Sequence, residues 1–86
     1  MEIILSPGAK DDIVYWNKSG QKAIKKRIEL LLASMLEDPF TGIGKPEPLK
    51  NNLSGLWSRR INEEHRMVYE VREGIIHVLS LRGHYV

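Results

Sequence analysis

A change of hydrophobic period near the middle of the chain limits its fold more than any other feature. Ile24, Ile28, Leu31, Leu32, Met35 and Leu36 recur at i, i+4, i+7, i+8, i+11 and i+12, the spacing of one helix face. After Pro48 the rhythm drops to two. Trp57, Arg59 and Ile61 alternate with Ser58 and Arg60; Met67, Tyr69 and Val71 alternate with Arg66, Val68, Glu70 and Arg72. Such alternation belongs to strands whose two faces differ. A helical apolar stripe must be buried, and a sheet with one apolar face is the partner this chain supplies.

The remaining elements fit around that pair. The short β-branched stretch at residues 2–5 reads as a first strand, ended by Ser6-Pro7-Gly8. Ala9, Ile13 and Trp16 form a shorter helical stripe interrupted at Ser19-Gly20. Asp38-Pro39 ends the second helix, because a residue before proline is pushed out of the α region. The segment from Pro39 to Pro48, with three prolines and two glycines, is expected to be a loop. Asn62-Glu63-Glu64 reads as a turn, Glu73-Gly74 as a tight hairpin, and Ile75 to Leu81 as the last strand. The expectation is one α+β domain over residues 1–86: a small antiparallel sheet with two N-terminal helices packed on one face. The other sheet face is left open, with Arg60, Arg66 and Arg82 as candidates to line it.

Composition removes several chemistries. There is no cysteine, so disulfides, thiol catalysis and thiolate metal sites are excluded. His65, His77 and His84 are not at i, i+4 spacing and no H-E-x-x-H occurs, so neither metal nor cofactor is expected. Gly42-Ile43-Gly44-Lys45 fails the phosphate-loop pattern, since Pro46 stands where Ser or Thr is needed. Ile3 to Leu5 is too short an apolar run for a signal peptide or membrane span, and a cytoplasmic protein without membrane contact is expected. The net charge of +2 arises wholly in the second half. Residues 1–44 carry six basic and six acidic groups, and residues 45–86 carry seven and five. Five of the six arginines lie there, and a guanidinium fork suits phosphate better than an ammonium does.

Single residues carry little. Glu47 by itself reads as a surface carboxylate, Arg66 as a salt-bridged strand residue, and His84 as part of a frayed tail. His77, mid-strand, reads as structural, and His65, beside the Glu63-Glu64 turn, as a local hydrogen-bonding group. Together, Glu47, Arg66 and His84 meet the needs of RNA cleavage without metal. A base removes the 2′-hydroxyl proton, a cation steadies the pentacoordinate phosphorus, and an acid protonates the leaving 5′-oxygen. Glu47 precedes the strands, Arg66 opens one and His84 follows the last, so an open sheet could gather them on one face. A non-catalytic nucleic-acid-binding module would use the basic face without Glu47 or His84, and a pure interaction protein would use neither.

The block from Lys45 to Val71, "KPEPLKNNLSGLWSRRINEEHRMVYEV", with the terminal "LRGHY", resembles the YoeB toxins of the RelE-like superfamily. The likeness extends to "DDIVYW", "KKRIELL" and "PFTGIGKPE", and so to essentially the whole chain. The resemblance implies a ribosome-dependent endoribonuclease that cleaves mRNA in the A site and stops translation. It assigns Glu47 as general base, Arg66 to the phosphate in the transition state and His84 as general acid. Tyr85 is to position or stack substrate, and Lys50 and Arg60 are to bind RNA and stabilise charge. It further implies a cognate YefM-like antitoxin that blocks the active face or displaces His84 and Tyr85. Operator DNA would be contacted only through the toxin–antitoxin complex, and pairing as a homodimer is a further expectation. The family pattern commonly stops at the tyrosine; here Val86 follows, so a role for a carboxylate on Tyr85 itself does not carry over.

Overall fold

The fold was obtained as a computed structural model, and the structure describes residues 1–83. Its elements run β1 (Glu2–Leu5), α1 (Pro7–Ser19), α2 (Lys22–Glu37), β2 (Glu47–Pro48), a 3₁₀ turn (Asn51–Leu53), β3 (Leu56–Arg60), β4 (Arg66–Arg72) and β5 (Ile75–Ser80). The five strands form one sheet in the order β1-β5-β4-β3-β2.

Local chemistry accounts for the boundaries. Ser6 caps α1 by accepting a hydrogen bond from Ala9 N–H, and Pro7 stands in the first turn, where its missing N–H costs nothing. The Ser6 hydroxyl also donates to Leu79 O at 3.0 Å, and Ser6 N–H donates to Val78 O at 2.9 Å, which ties the helix start to β5. Gly20 closes α1 in the left-handed region at φ 74°. Asp38, extended before Pro39, ends α2. Glu73 and Gly74 both have positive φ (51° and 77°), the conformation that a two-residue hairpin needs to match strand twist.

The two helical stripes meet the sheet as their spacing demands. Ile24, Ile28, Leu31 and Met35 of α2 pack with Ala9 and Trp16 of α1 against Met67, Tyr69, Ile76 and Val78. Each such aliphatic side chain, fully buried, is worth about 1.5–3 kcal/mol. Leu36, at the end of the stripe, remains exposed.

Three details depart from the sequence expectation. The sheet is mixed: β1 pairs parallel with β5, Glu2 opposite Ile75 through Leu5 opposite Val78. The two helices carry the chain from β1 to β2 on the opposite edge, and the antiparallel run β2 to β5 brings it back beside β1. Glu47 and Pro48 are not loop but a short antiparallel strand on the sheet's edge, opposite Ser58 and Trp57. Pro48 is compatible with that position because an edge strand has one side that needs no N–H. The third departure is in β5, where the register shifts between Val68 and Tyr69: Tyr69 faces Val78 and Val68 faces Ser80. Ile76 and Val78 enter the core on even positions, yet Leu81, an odd one, is also buried. The extra residue changes the parity.

Candidate functional site

Residues opposite one another in register share a face of the sheet, as do alternate residues along a strand. Arg59 points into the helical side, where it is fully buried. Ser58 and Arg60 therefore face the other way. Glu47, paired with Ser58, shares that face; so do Val68, paired with Ser58, and Arg66, paired with Arg60. One row across the sheet is Glu47, Ser58, Val68 and Ser80. The next is Arg60 and Arg66. Rows of this kind lie about 7 Å apart along a strand, with about 5 Å between strands, so the carboxylate stands one row and at most two strands from the two guanidinium groups on the same face. Ser58 and Val68 are buried and make the floor between them.

Each charged group is fixed differently. Glu47 is exposed at the edge and lines an open groove of about 360 Å³ with Pro48, Leu49, Lys50, Asn51, Asn52 and Leu53. Lys50 thus stands in the same groove as Glu47. Arg66 is half-buried, and its Nη1 donates to Asn62 O at 2.8 Å and His65 O at 3.3 Å. These carbonyls orient the guanidinium without cancelling its charge. Arg60 is exposed directly opposite. Like charges facing across two strands destabilise a sheet by about 0.2–1 kcal/mol, and together they make this part of the face positive. Arg82 does not join them: its guanidinium lies 3.9 Å from the centre of the Tyr15 ring on α1, a cation–π contact. His77 faces Glu70 on β4 and Ile4 on β1, further along the same sheet face.

His84 and Tyr85, the proposed acid and its neighbour, lie outside the described residues, as does Val86. The last described residue, Gly83, is bound to the site by its carbonyl, which accepts from Arg66 N–H at 2.9 Å. Among the described residues no group of three or more His, Asp or Glu side chains is placed to hold a metal ion, and no helix is long and apolar enough to cross a membrane.

Arg59, which no sequence motif singles out, builds the loop ahead of Glu47. Its Nε donates to Tyr69 Oη (3.2 Å), Nη1 to Ser34 Oγ (2.9 Å) and Ile43 O (3.1 Å), and Nη2 to Asp38 O (2.8 Å) and Thr41 O (2.7 Å). All five N–H donors of the guanidinium are used, every one on a neutral acceptor. Tyr69 Oη in turn donates to Pro39 O at 2.7 Å, and burial raises the phenol's pKa against the opposing pull of Arg59. One strand residue thus gathers the end of α2 and the loop at 38–43. Gly44 completes the approach: its carbonyl accepts from Arg60 N–H at 2.7 Å, and a Cβ there would stand 2.7 Å from Leu31 Cδ2. Glu47 follows three residues later. The available sequence signal was Arg59's place on the apolar side of an alternating strand, where a charge needs a special reason.

A mixed five-stranded sheet packed with two helices is an architecture shared with solved bacterial toxins. A YoeB/ParE toxin from Agrobacterium tumefaciens superposes with a TM-score of 0.92 at 37% identity, covering 99% of this chain and 100% of that one. The YoeB chain of a heterotetrameric YoeB–YefM toxin–antitoxin complex from Staphylococcus aureus gives 0.84 at 45% identity, over 96% and 95% of the two chains. Toxin YoeB of a Synechocystis species is 54% identical over 70 residues, 81% of each chain. Residues 5–85 match the family described as YoeB-like toxin of bacterial type II toxin–antitoxin system. The chain belongs to the YoeB toxin family.

Proposed function

We propose that this toxin is a ribosome-dependent endoribonuclease that cuts mRNA in the A site by metal-independent attack of a 2′-hydroxyl, and so stops translation in the cytoplasm. The observation that carries this reading is the shared sheet face of Glu47, Arg60 and Arg66, with Gly83 hydrogen-bonded to Arg66 at its border.

In the proposed reaction Glu47 takes the 2′-hydroxyl proton, and the freed oxygen forms a bond to the adjacent phosphorus. Arg66, held by the carbonyls of the 62–65 turn, stabilises the charge that builds on the phosphorane oxygens. The bond from phosphorus to the 5′-oxygen breaks, and His84 gives its proton to that oxygen. The products are a 2′,3′-cyclic phosphate and a 5′-hydroxyl. Lys50 and Arg60 bind flanking phosphates, and Tyr85 stacks on or orients a base. Since the groove and face are open, the ribosome supplies the confinement that aligns the mRNA for in-line attack. The whole chain, 1–86, acts as one catalytic domain. Its partner is a YefM-like antitoxin covering this face, with operator DNA reached only through that complex, and the free toxin pairs as a homodimer.

Inducing the chain in bacteria should arrest growth and produce cuts in translating mRNA, and co-expression of the antitoxin should relieve both. Folded Glu47→Gln and Arg66→Ala variants should bind ribosomes but cut far more slowly than the parent. Salt-dependent RNA binding by the parent with no cleavage would replace this reading with a non-catalytic module on the same basic face.

A further inference from the structure

Four hydrogen bonds fix the backbone at the end of the described chain, and they come from three separate elements. Leu81 N–H donates to Asp12 Oδ2 at 2.9 Å, and Leu81 O accepts from Trp16 Nε1 at 2.9 Å, both on α1. Gly83 N–H donates to His65 Nδ1 at 2.9 Å, and Gly83 O accepts from Arg66 N–H at 2.9 Å. Consecutive residues thus hold the two polar groups of Gly83. A backbone N–H can only donate, so His65 Nδ1 must be unprotonated and its ring proton must sit on Nε2.

His65 is itself held on every side. Its N–H donates to Asn62 Oδ1 at 2.8 Å, and its carbonyl accepts from Ile61 N–H at 3.0 Å. Its ring stands edge-on to Trp16, with centroids 4.9 Å apart and planes at 81°, the favourable aromatic geometry. The imidazole is therefore wedged between the indole that holds Leu81 and the amide of Gly83. Gly83 has φ 81° with nothing within 4 Å of a Cβ built on it, so glycine is needed there for the turn and not for space. The point from which the chain continues to His84 is set by this clamp.

We propose that His65 is a positioning residue. By accepting the Gly83 N–H at Nδ1 it fixes the launch point of His84 and Tyr85 beside Arg66, and so the rate of the proton transfer assigned to His84. This rests on the nuclease reading above. The bond from Gly83 to His65 spans 18 residues, so the ring acts well beyond its own turn.

Two substitutions separate the acceptor from the packing. His65→Phe keeps a ring edge-on to Trp16 but has no acceptor, whereas His65→Asn offers Oδ1 close to the place of Nδ1. Amide hydrogen exchange at Gly83 is read first, in the free toxin, by NMR. Protection is expected in the parent and in His65→Asn, and its loss in His65→Phe, with the sheet amides of β4 and β5 unchanged. Single-turnover cleavage of ribosome-bound mRNA is read second. His65→Phe should slow the bound step by about a hundredfold, the scale of a misplacement near 1 Å, with ribosome affinity retained, and His65→Asn should recover most of it. An unprotected Gly83 in the parent overturns the proposal, as does a folded His65→Phe cutting at the parent rate, or a His65→Asn protein as slow as His65→Phe. A parent that cuts nothing overturns the nuclease reading instead, and the exchange measurement still decides whether the clamp exists.

Discussion

Replacing Arg59 with lysine keeps the charge and removes the fork. The five acceptors of the guanidinium are spread over α2, the 38–43 loop and β4. A lysine ammonium carries three donors on one nitrogen, so at least two acceptors lose their partner. An unsatisfied buried acceptor costs about 1–3 kcal/mol, which sets the loss at roughly 2–6 kcal/mol. The loop carbonyls are only part-buried and water can reach some of them, so the expected value is about 3 kcal/mol. For a domain of this size each kcal/mol lowers Tm by about 4–8 °C, and the fall should be roughly 12–24 °C. Urea unfolding followed by circular dichroism gives the free energy, and a thermal scan gives Tm. The loop should also become the first site of limited proteolysis. A loss below about 1 kcal/mol, with the loop still resistant, would refute the view that Arg59 organises the approach to Glu47.

Four further outcomes are expected. Arg66→Ala should lower the single-turnover rate about a hundredfold, the cost of removing one donor to a developing oxyanion, with ribosome affinity nearly unchanged; a change in affinity alone would refute its role. Folded His84→Ala should slow the same step by about a hundred- to ten-thousandfold, whereas His77→Ala should not. Gly44→Ala forces a side chain at φ 84° against Leu31 and should cost about 2–5 kcal/mol in urea unfolding. Burial, the largest influence on Tyr69, raises its pKa in the fold. The unfolded chain therefore releases that proton first, so stability should hold below about pH 10 and fall above it. In Tyr69→Phe that fall should be smaller when stability is followed across alkaline pH.

Where one period rules a segment, the fold is legible in the residues. The α2 stripe from Ile24 to Met35 and the alternation in β3 and β4 depend only on which side chains need burial, and both led directly to two helices over a sheet. What stayed hidden depends on pairing between distant segments. Residues 2–5 read as a strand, but nothing in them says that their neighbour is β5 and parallel. Glu47-Pro48 is too short to show a period and becomes a strand only because β3 lies beside it. The site followed the same division. Arg60 and Arg66 could be chosen by residue type and strand parity, whereas Glu47 could be chosen only by residue type and by the family resemblance. The roles of Arg59 and His65 do not show in the sequence because they reside in hydrogen-bond partners on other elements. Arg59 reads as one more cation, and His65 as a turn residue, until Ser34, Thr41 and Gly83 are brought to them.

The mRNA's own 2′-hydroxyl is the proposed nucleophile. Its most direct test is single-turnover cleavage of ribosome-bound mRNA in which one nucleotide, at the parent cut site, carries 2′-deoxyribose. The unmodified message should yield a 5′-hydroxyl and a 2′,3′-cyclic phosphate, and the substituted message should remain intact at that bond while the toxin still binds the ribosome. Cleavage of the 2′-deoxy bond at the parent rate, or 5′-phosphate ends on the unmodified product, would contradict the account.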